Sequence, residues 1–251
     1  NEIWADLNSM NFIGKRNGEV YDLKNLSGKV HYSDKEIRVD NMDLETSDSH
    51  LNGHLVLSYD SMDDMKDFLN KVNWDMELKD DSKVNFKDIR YFVDDFDKNS
   101  SIDVMGIVSG TLNDLQLVDF QLSGEGAFVA ARELKFLDMT NENISIDSES
   151  LKVRASYQGL QDLLPTFIGR TIPDFMNRFG TMDYSGDFNL DPNRIDIDGY
   201  AITGLGDADL DVRLDDYRGN LKYSGELTAD HLNLKQITEV QELGFVKGNI
   251  R

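Results

Sequence analysis

The sequence predicts a mainly β fold: an elongated, curled antiparallel sheet that forms a groove, built from degenerate repeats with a few short helices. Three observations lead to this prediction. Apolar and polar residues alternate with a period of two along much of the chain. A short signature ending in glycine recurs nine times, and helical periodicity is confined to four short segments. Together they indicate many short strands joined by tight turns.

The alternation identifies the strands. It is clear in seven segments, which begin at Gly28, Glu36, His54, Ile144, Gly186, Arg194 and Ala208. In GDADLDVRLDD, from Gly206, leucine and valine alternate with aspartate and arginine. Successive side chains of a strand point to opposite faces, so one face of this strand is apolar and the other is charged. Such strands are typical of a sheet with one face in water.

The recurring signature is an apolar or aromatic residue, then Ser, Asn, Asp, Thr or Lys, then glycine. Its glycines are Gly28, Gly53, Gly110, Gly124, Gly186, Gly199, Gly204, Gly225 and Gly248. A glycine at this place in a strand predicts a bulge, a bend or a turn with positive φ. Repeated units that bury their apolar side only against neighbours form open-ended solenoids.

Helical periodicity appears in residues 61–72, 86–96, 159–180 and 234–243. The third of these contains Pro165 and Pro173, which predict two short pieces or a broken helix. The charges of its two acidic and two basic residues cancel, so the segment is not attracted to anionic lipid. This favours a helical segment that packs on the groove or its mouth, and not one that anchors the chain in a membrane. We therefore expect one elongated segment, 1–251, with possible sub-units 1–105 and 106–251 and a helical insertion at 159–180.

Composition excludes several classes of partner. The chain has 47 acidic and 26 basic residues, and a net charge of -21 repels nucleic acid and anionic lipid surfaces. It has no cysteine, so neither disulfides nor thiolate metal sites exist. Its N-terminus lacks the features of a signal peptide, and its last residues resemble the start of a strand. We expect an excised piece of a longer protein.

No catalytic constellation emerges, so we predict no enzyme, no cofactor and no metal. His50 and His54 have the spacing of a helical zinc pair, but they lie in strand-like sequence, where such residues are about 13 Å apart. The acidic run from Asp191 resembles a calcium loop interrupted by an arginine. GLGDAD, from Gly204, is better explained as a hairpin turn than as a dinucleotide fingerprint.

The remaining question is what covers the apolar faces. Two sheets could stack into a dry sandwich, which the strand pattern alone favours. Alternatively, the sheet curls into a trough that something else fills. The strand pattern does not separate these two solutions.

An ordered set of motifs in residues 144–251 bears on that choice. A helical segment with Leu164-Pro165 ends at Gly180 and is followed by YSGDF, from Tyr184, and TGLGDAD, from Thr203. YSG then recurs, from Tyr223, before a strand end LNL. In this order the motifs resemble the TamB (translocation and assembly module) family of AsmA-like proteins, of the Bacteroidota type.

This resemblance implies a periplasmic protein with a taco-shaped β-groove, anchored in the inner membrane by an N-terminal helix that is missing here. It implies a bridge-like lipid transfer protein that carries phospholipid acyl chains between the inner and outer membranes. The alternative function is a scaffold or chaperone for outer-membrane protein assembly with a BamA-like barrel partner. A carbohydrate-binding β-sandwich is a third possibility.

A groove for lipid tails needs only an apolar lining, because the tails carry no directional groups. The residues predicted to line it are Phe188, Leu190, Ile195, Ile197, Leu210, Val212 and Leu214. From residue 106 to residue 134 the alternation is broken, and the inward-facing side chains are not assigned there.

Overall fold

A computed structural model of the chain describes residues 2–16, 18–90, 100–139, 143–163, 174–216, 219–220, 222–233, 235–236 and 244–250. It contains sixteen strands and a few short helices, and the strand pairs are antiparallel. The prediction of a mainly β, antiparallel fold is confirmed. The chain divides into two compact units, Asn1–Gly124 and Glu125–Arg251.

Unit 1 contains nine strands in one sheet. They are β1 (Ile3–Leu7), β2 (Phe12–Arg16), β3 (Glu19–Tyr32), β4 (Glu36–Thr46), β5 (His50–Ser58), β6 (Asn73–Leu78), β7 (Lys83–Asn85), β8 (Ser101–Gly110) and β9 (Leu115–Gly124). The spatial order is β1, β3, β4, β5, β6, β8, β9, while β2 also pairs with β3 and β7 bridges β5 and β8. Neighbours in sequence are thus almost always neighbours in space.

Unit 2 contains seven strands in the order of the sequence. They are β10 (Ala127–Leu137), β11 (Ser145–Ser156), β12 (Thr181–Asp191), β13 (Arg194–Thr203), β14 (Gly206–Asp215), β15 (Lys222–Asn233) and β16 (Phe245–Ile250). Gly204 and Leu205 form the β13–β14 turn, which confirms the hairpin predicted for GLGDAD. Within the described part of either unit all strands belong to one sheet, so neither unit is the face-to-face sandwich that the pattern alone favoured.

Short helices lie where periodicity predicted them. A 3-10 helix, Met62–Asp67, leads into α1 (Phe68–Lys71), and α2 (Phe86–Arg90) is the described part of the second predicted helix. In unit 2, α3 (Tyr157–Leu163) and a second 3-10 helix, Asp174–Phe179, form two separate pieces. Residues 91–96 of the second prediction, 164–173 of the third, and 234 and 237–243 of the fourth lie outside the described residues.

Bulges shift the strand register at several places, and the signature glycines accompany some of them. Gly28 has φ +147°, and the pairing of β3 with β4 shifts between Ser27 and Lys29. On β11, Ser150 has φ +54° and the pairing with β12 shifts between Ser148 and Leu151. Bulges bend a strand and increase its twist, so these positions curve the strands as the signature predicts.

The core of unit 1 lies on the apolar face of its sheet. Val39, Met42, Leu78 and Val108 are buried there, and Val72, which follows α1, is fully buried. The Phe68 ring of α1 makes an edge-on contact with Trp74 on β6, 5.8 Å between centroids. The helical turn after β5 therefore packs on this sheet, as its apolar stripe indicates.

Candidate functional site

The seven predicted lining residues lie together on one face of unit 2. Phe188 pairs with Ile197 and Leu190 with Ile195 across β12 and β13. Ile195 then pairs with Leu214, and Ile197 with Val212, across β13 and β14. Leu210 lies on the same face opposite Gly199. Directly paired residues of antiparallel strands share a face, so the structure brings all seven side chains together.

The apolar surface extends beyond the seven predicted residues along both neighbouring strands. One large side chain from each of six strands forms an outer row: Phe136, Ile146, Leu190, Ile195, Leu214 and Tyr223. Beside it, Phe188, Ile197 and Val212 form an inner row. We call these two rows the open strip. The outer row crosses five strand spacings, or about 24 Å.

The open strip is incompletely covered. Every one of its side chains keeps part of its surface exposed, and Tyr223, at its end, is 81% exposed. A row of alanines on the same face behaves differently: Ala201, Ala208 and Ala229 pair with one another and are at most 8% exposed. The described strands thus bury one band of the apolar face and leave the neighbouring band accessible.

The helical pieces of unit 2 lie at the alanine end of the strands. Leu163 of α3 is buried, and α3 packs against β10 and β11. The Phe179 backbone oxygen accepts a hydrogen bond from the Gly204 backbone N–H at the β13–β14 turn, 2.8 Å. The Tyr157 hydroxyl donates to Asp174 Oδ1 at 2.8 Å, which links the two pieces. The described helices are therefore anchored away from the open strip.

The opposite face of the same strands is strongly charged. Asp187, Asp198, Asp211 and Glu226 lie directly opposite one another across β12 to β15. Like charges in such positions repel, which is tolerable only where water screens them. Other carboxylates of this face are paired, such as Asp196, which lies 2.8 Å from Arg194 Nε and 2.7 Å from Arg213 Nε. This contrast identifies the apolar face as the one available for an apolar ligand.

Two shallow depressions lie on the charged face. The larger, about 480 Å³, is lined mainly by Asn189, Asp196, Asp198, Asp211 and Arg213. The smaller, about 300 Å³, includes Lys135 and Arg194 among its lining residues. The hydrogen bond that Arg213 donates to Asp196 raises the pKa of Arg213 further above its ordinary value. No group of three metal-ligating side chains occurs in the described part of the chain.

Histidines of unit 1 pair with carboxylates. His50 Nε2 lies 2.9 Å from Asp43 Oδ1, and His54 Nδ1 lies 3.4 Å from Glu77 Oε2. The side chain of His31 is only 12% exposed. Its ring stacks on Trp4 of β1 with 3.9 Å between centroids, a cross-strand contact that strand alternation does not reveal.

A buried polar cluster in unit 1 centres on Asp88 of α2. The Thr46 and Ser49 hydroxyls donate to Asp88 Oδ2 at 2.5 and 2.6 Å. Burial, followed by the Asp88 charge, raises the pKa of Tyr21 to about 12. The hydrogen bonds fix α2 to the β4–β5 turn, so we assign this cluster a structural role.

Sequence reasoning missed Phe136, Ile146 and Tyr223 of the open strip. Ile146 lies before the Ser150 bulge, which changes the parity of β11, so the strand's apolar face cannot be followed by counting. Tyr223 is the first residue of a signature motif, from which only the role of the glycine, Gly225, was predicted. Its exposure on the apolar face follows from its pairing with Leu214.

Comparisons with known proteins identify no relative of this chain: no family model, curated protein or solved structure matches it. Among the residues that the structure describes, no helix is long and apolar enough to cross a membrane.

Proposed function

We propose that unit 2 binds the acyl chains of lipids on the open strip and that the chain is part of a lipid carrier. One observation carries this proposal: two adjacent rows of large apolar side chains cross the strands, and all remain partly exposed while the neighbouring alanines are buried. Exposed apolar surface of this extent is typical of a binding site.

The dimensions of the strip suit a lipid tail. Half of a bilayer's hydrocarbon core is about 15 Å, so an outer row of about 24 Å is long enough for one extended acyl chain. A two-chain lipid with about 30 methylenes costs on the order of 24 kcal/mol in water, at about 0.8 kcal/mol per methylene. A continuous apolar surface offsets much of this cost without any catalytic group.

The resemblance to the TamB family supports the same proposal. It implies a periplasmic carrier whose cargo is phospholipid moving between the inner and outer membranes. A net charge of -21 agrees with a protein that takes up tails on an apolar surface and does not adhere to anionic head groups. The periplasmic location and the phospholipid cargo are both part of the proposal.

The proposal predicts that a charge in the strip abolishes lipid binding. Val212→Asp places a carboxylate in the inner row, where an apolar tail would leave it without a partner. We expect the phospholipid that copurifies with the protein, measured by extraction and mass spectrometry, to fall at least about tenfold.

The matched control is Ile202→Asp, which adds the same charge at an exposed apolar position on the opposite face of β13. It should keep the wild-type amount of lipid. Equal lipid in the two variants, or no lipid in the wild-type protein, would contradict the proposal.

A second candidate function has one observation in its favour. The edge of unit 1's sheet, formed by β1 and β2, exposes apolar side chains: Ile3 58%, Trp4 67%, Phe12 47% and Ile13 67%. An exposed apolar strand edge can pair with a strand of another protein. This supports the scaffold for outer-membrane protein assembly, with a BamA-like barrel as partner, as the alternative.

A further inference from the structure

On β12 and β13 a gap in the side chains separates the open strip from the buried alanine row, whereas on β14 Leu210 occupies the same row. Gly186 of β12 and Gly199 of β13 lie opposite each other, in the row between Ala201 and Ile197. A Cβ on Gly186 would lie 2.1 Å from the Asp198 backbone oxygen and 2.5 Å from the Gly199 Cα. The two backbones approach so closely that neither position accepts a side chain.

The Tyr184 side chain covers this gap. Its hydroxyl oxygen lies 2.6 Å from the Asp187 backbone oxygen and 3.2 Å from the Asp198 backbone oxygen, so its proton is shared between both strands. The Cβ position of Gly199 would be 3.0 Å from Tyr184 Cε2, and that of Gly186 would be 2.8 Å from the hydroxyl oxygen. The ring therefore lies along the sheet, over the glycine pair.

Several observations show that the ring is held firmly in this place. Both of its hydroxyl contacts are to backbone oxygens, which a side-chain rearrangement does not remove. Burial, followed by the charges of Asp187 and Asp198, raises the pKa of Tyr184 to about 12. The phenol stays protonated in the whole physiological range and keeps its donor.

We propose that the Tyr184 ring is the inner wall of the open strip and limits the width of the acyl chain that the strip accepts, an inference that rests on the proposed function. Rows of side chains on one face are two residues, or about 7 Å, apart along a strand. The ring fills one such row beside Phe188 and Ile197. Removing it opens a gap that is one row wide and two strands across, floored by glycine backbone and bounded on β14 by Leu210.

The test compares two lipids that differ only in tail width. Vesicles of dipalmitoyl or diphytanoyl phosphatidylcholine share a head group, but the phytanoyl chains carry methyl branches. The whole chain, 1–251, is incubated with each, separated from the vesicles, and its bound lipid is measured by mass spectrometry. The wild-type protein should prefer the straight chains, and Tyr184→Ala should reduce that preference about tenfold, since one methyl group in an apolar site is worth about that factor.

Two variants control for lost structure. Tyr184→Phe keeps the ring and should keep the wild-type preference for straight chains. If Tyr184 acted only through its hydrogen bonds, this variant would lose that preference. Tyr200→Ala removes a tyrosine from the opposite face of β13, 41% exposed, and should also behave as wild type. If Tyr184→Ala fails to fold, Tyr184→Leu replaces it and should show a smaller shift in the same direction.

The outcomes separate the two proposals. Lipid bound to the wild-type protein together with an unchanged preference in Tyr184→Ala, or in Tyr184→Leu where that variant replaces it, overturns the role of Tyr184 and leaves the proposed function standing. A wild-type protein that binds neither lipid overturns the proposed function, and the inference with it.

Discussion

Single glycines determine where neighbouring strands of this protein approach closely. At Gly225 the backbone has φ +127° and lies against the backbone of β14, so any side chain there meets both a strained conformation and a fixed neighbour. At Gly186 and Gly199 the conformation is ordinary and the close approach alone excludes a side chain. The same signature motif thus serves two physical purposes.

Gly225→Ala should lower the free energy of unfolding by about 2 kcal/mol, because an L residue at positive φ costs about 1–3 kcal/mol. Urea denaturation of both proteins measures the difference. Gly248→Ala is the control: no atom lies within 4 Å of the added Cβ, so the change should be within about 0.5 kcal/mol. Equal effects of the two substitutions would contradict the strained, closely approached backbone assigned to Gly225.

Sequence predicts the residue-scale chemistry only in part. Alternation placed Phe188, Ile197 and Val212 on one face correctly, because no bulge interrupts β12, β13 or β14 within their mutual pairing. It could not place Ile146, which is separated from Leu151 by a bulge residue. A one-residue shift in register moves every later side chain of the strand to the opposite face of the sheet. The residues at which such bulges occur are common polar residues, so the sequence does not mark them.

At the scale of elements, strands that follow one another in sequence pair in space, which limits the topologies that the chain could adopt. The predicted helices at 61–72 and 86–96 begin where expected, because apolar stripes and capping residues are local signals. In the stretch from residue 106 to residue 134, the bulge near Gly106 and the positive φ of Asp119 explain why alternation failed. The sequence also does not show which strands form the exposed edge of a sheet.

The edge formed by β1 and β2 should promote pairing between chains, because its apolar side chains and unpaired backbone groups face outward. The double substitution Trp4→Lys and Ile13→Lys places two charges on the face of this edge that lies opposite the buried core. We expect it to reduce concentration-dependent self-association in analytical ultracentrifugation and to leave the copurified lipid unchanged, since the open strip lies in unit 2.

Loss of lipid in this double variant would instead connect the edge to lipid binding and weaken the assignment to the open strip. Unchanged self-association would mean that the edge is protected in solution. A normal lipid content together with impaired assembly of outer-membrane proteins in cells would favour the scaffold as a second role.

At the scale of the whole molecule, charge and apolar surface are segregated by strand alternation. The net charge of -21 keeps the charged faces in water and disfavours contact with anionic surfaces. Composition and period therefore predict the fold class and the polarity of each face well. They do not predict which band of an apolar face is covered, because covering depends on where helices and loops pack, as the packing of α3 against β10 and β11 illustrates.

The most direct test of the central claim is photo-crosslinking in cells, with a photoreactive residue placed in turn at Leu210, Val212, Leu214, Asp211 and Arg213. If lipid lies on the apolar face of unit 2, phospholipid adducts should form at the first three positions, which lie on that face of β14. Mass spectrometry identifies these adducts. The two others lie on the charged face and should give none. Adducts at both sets of positions, or at neither, would contradict the claim that the apolar face of unit 2 carries lipid.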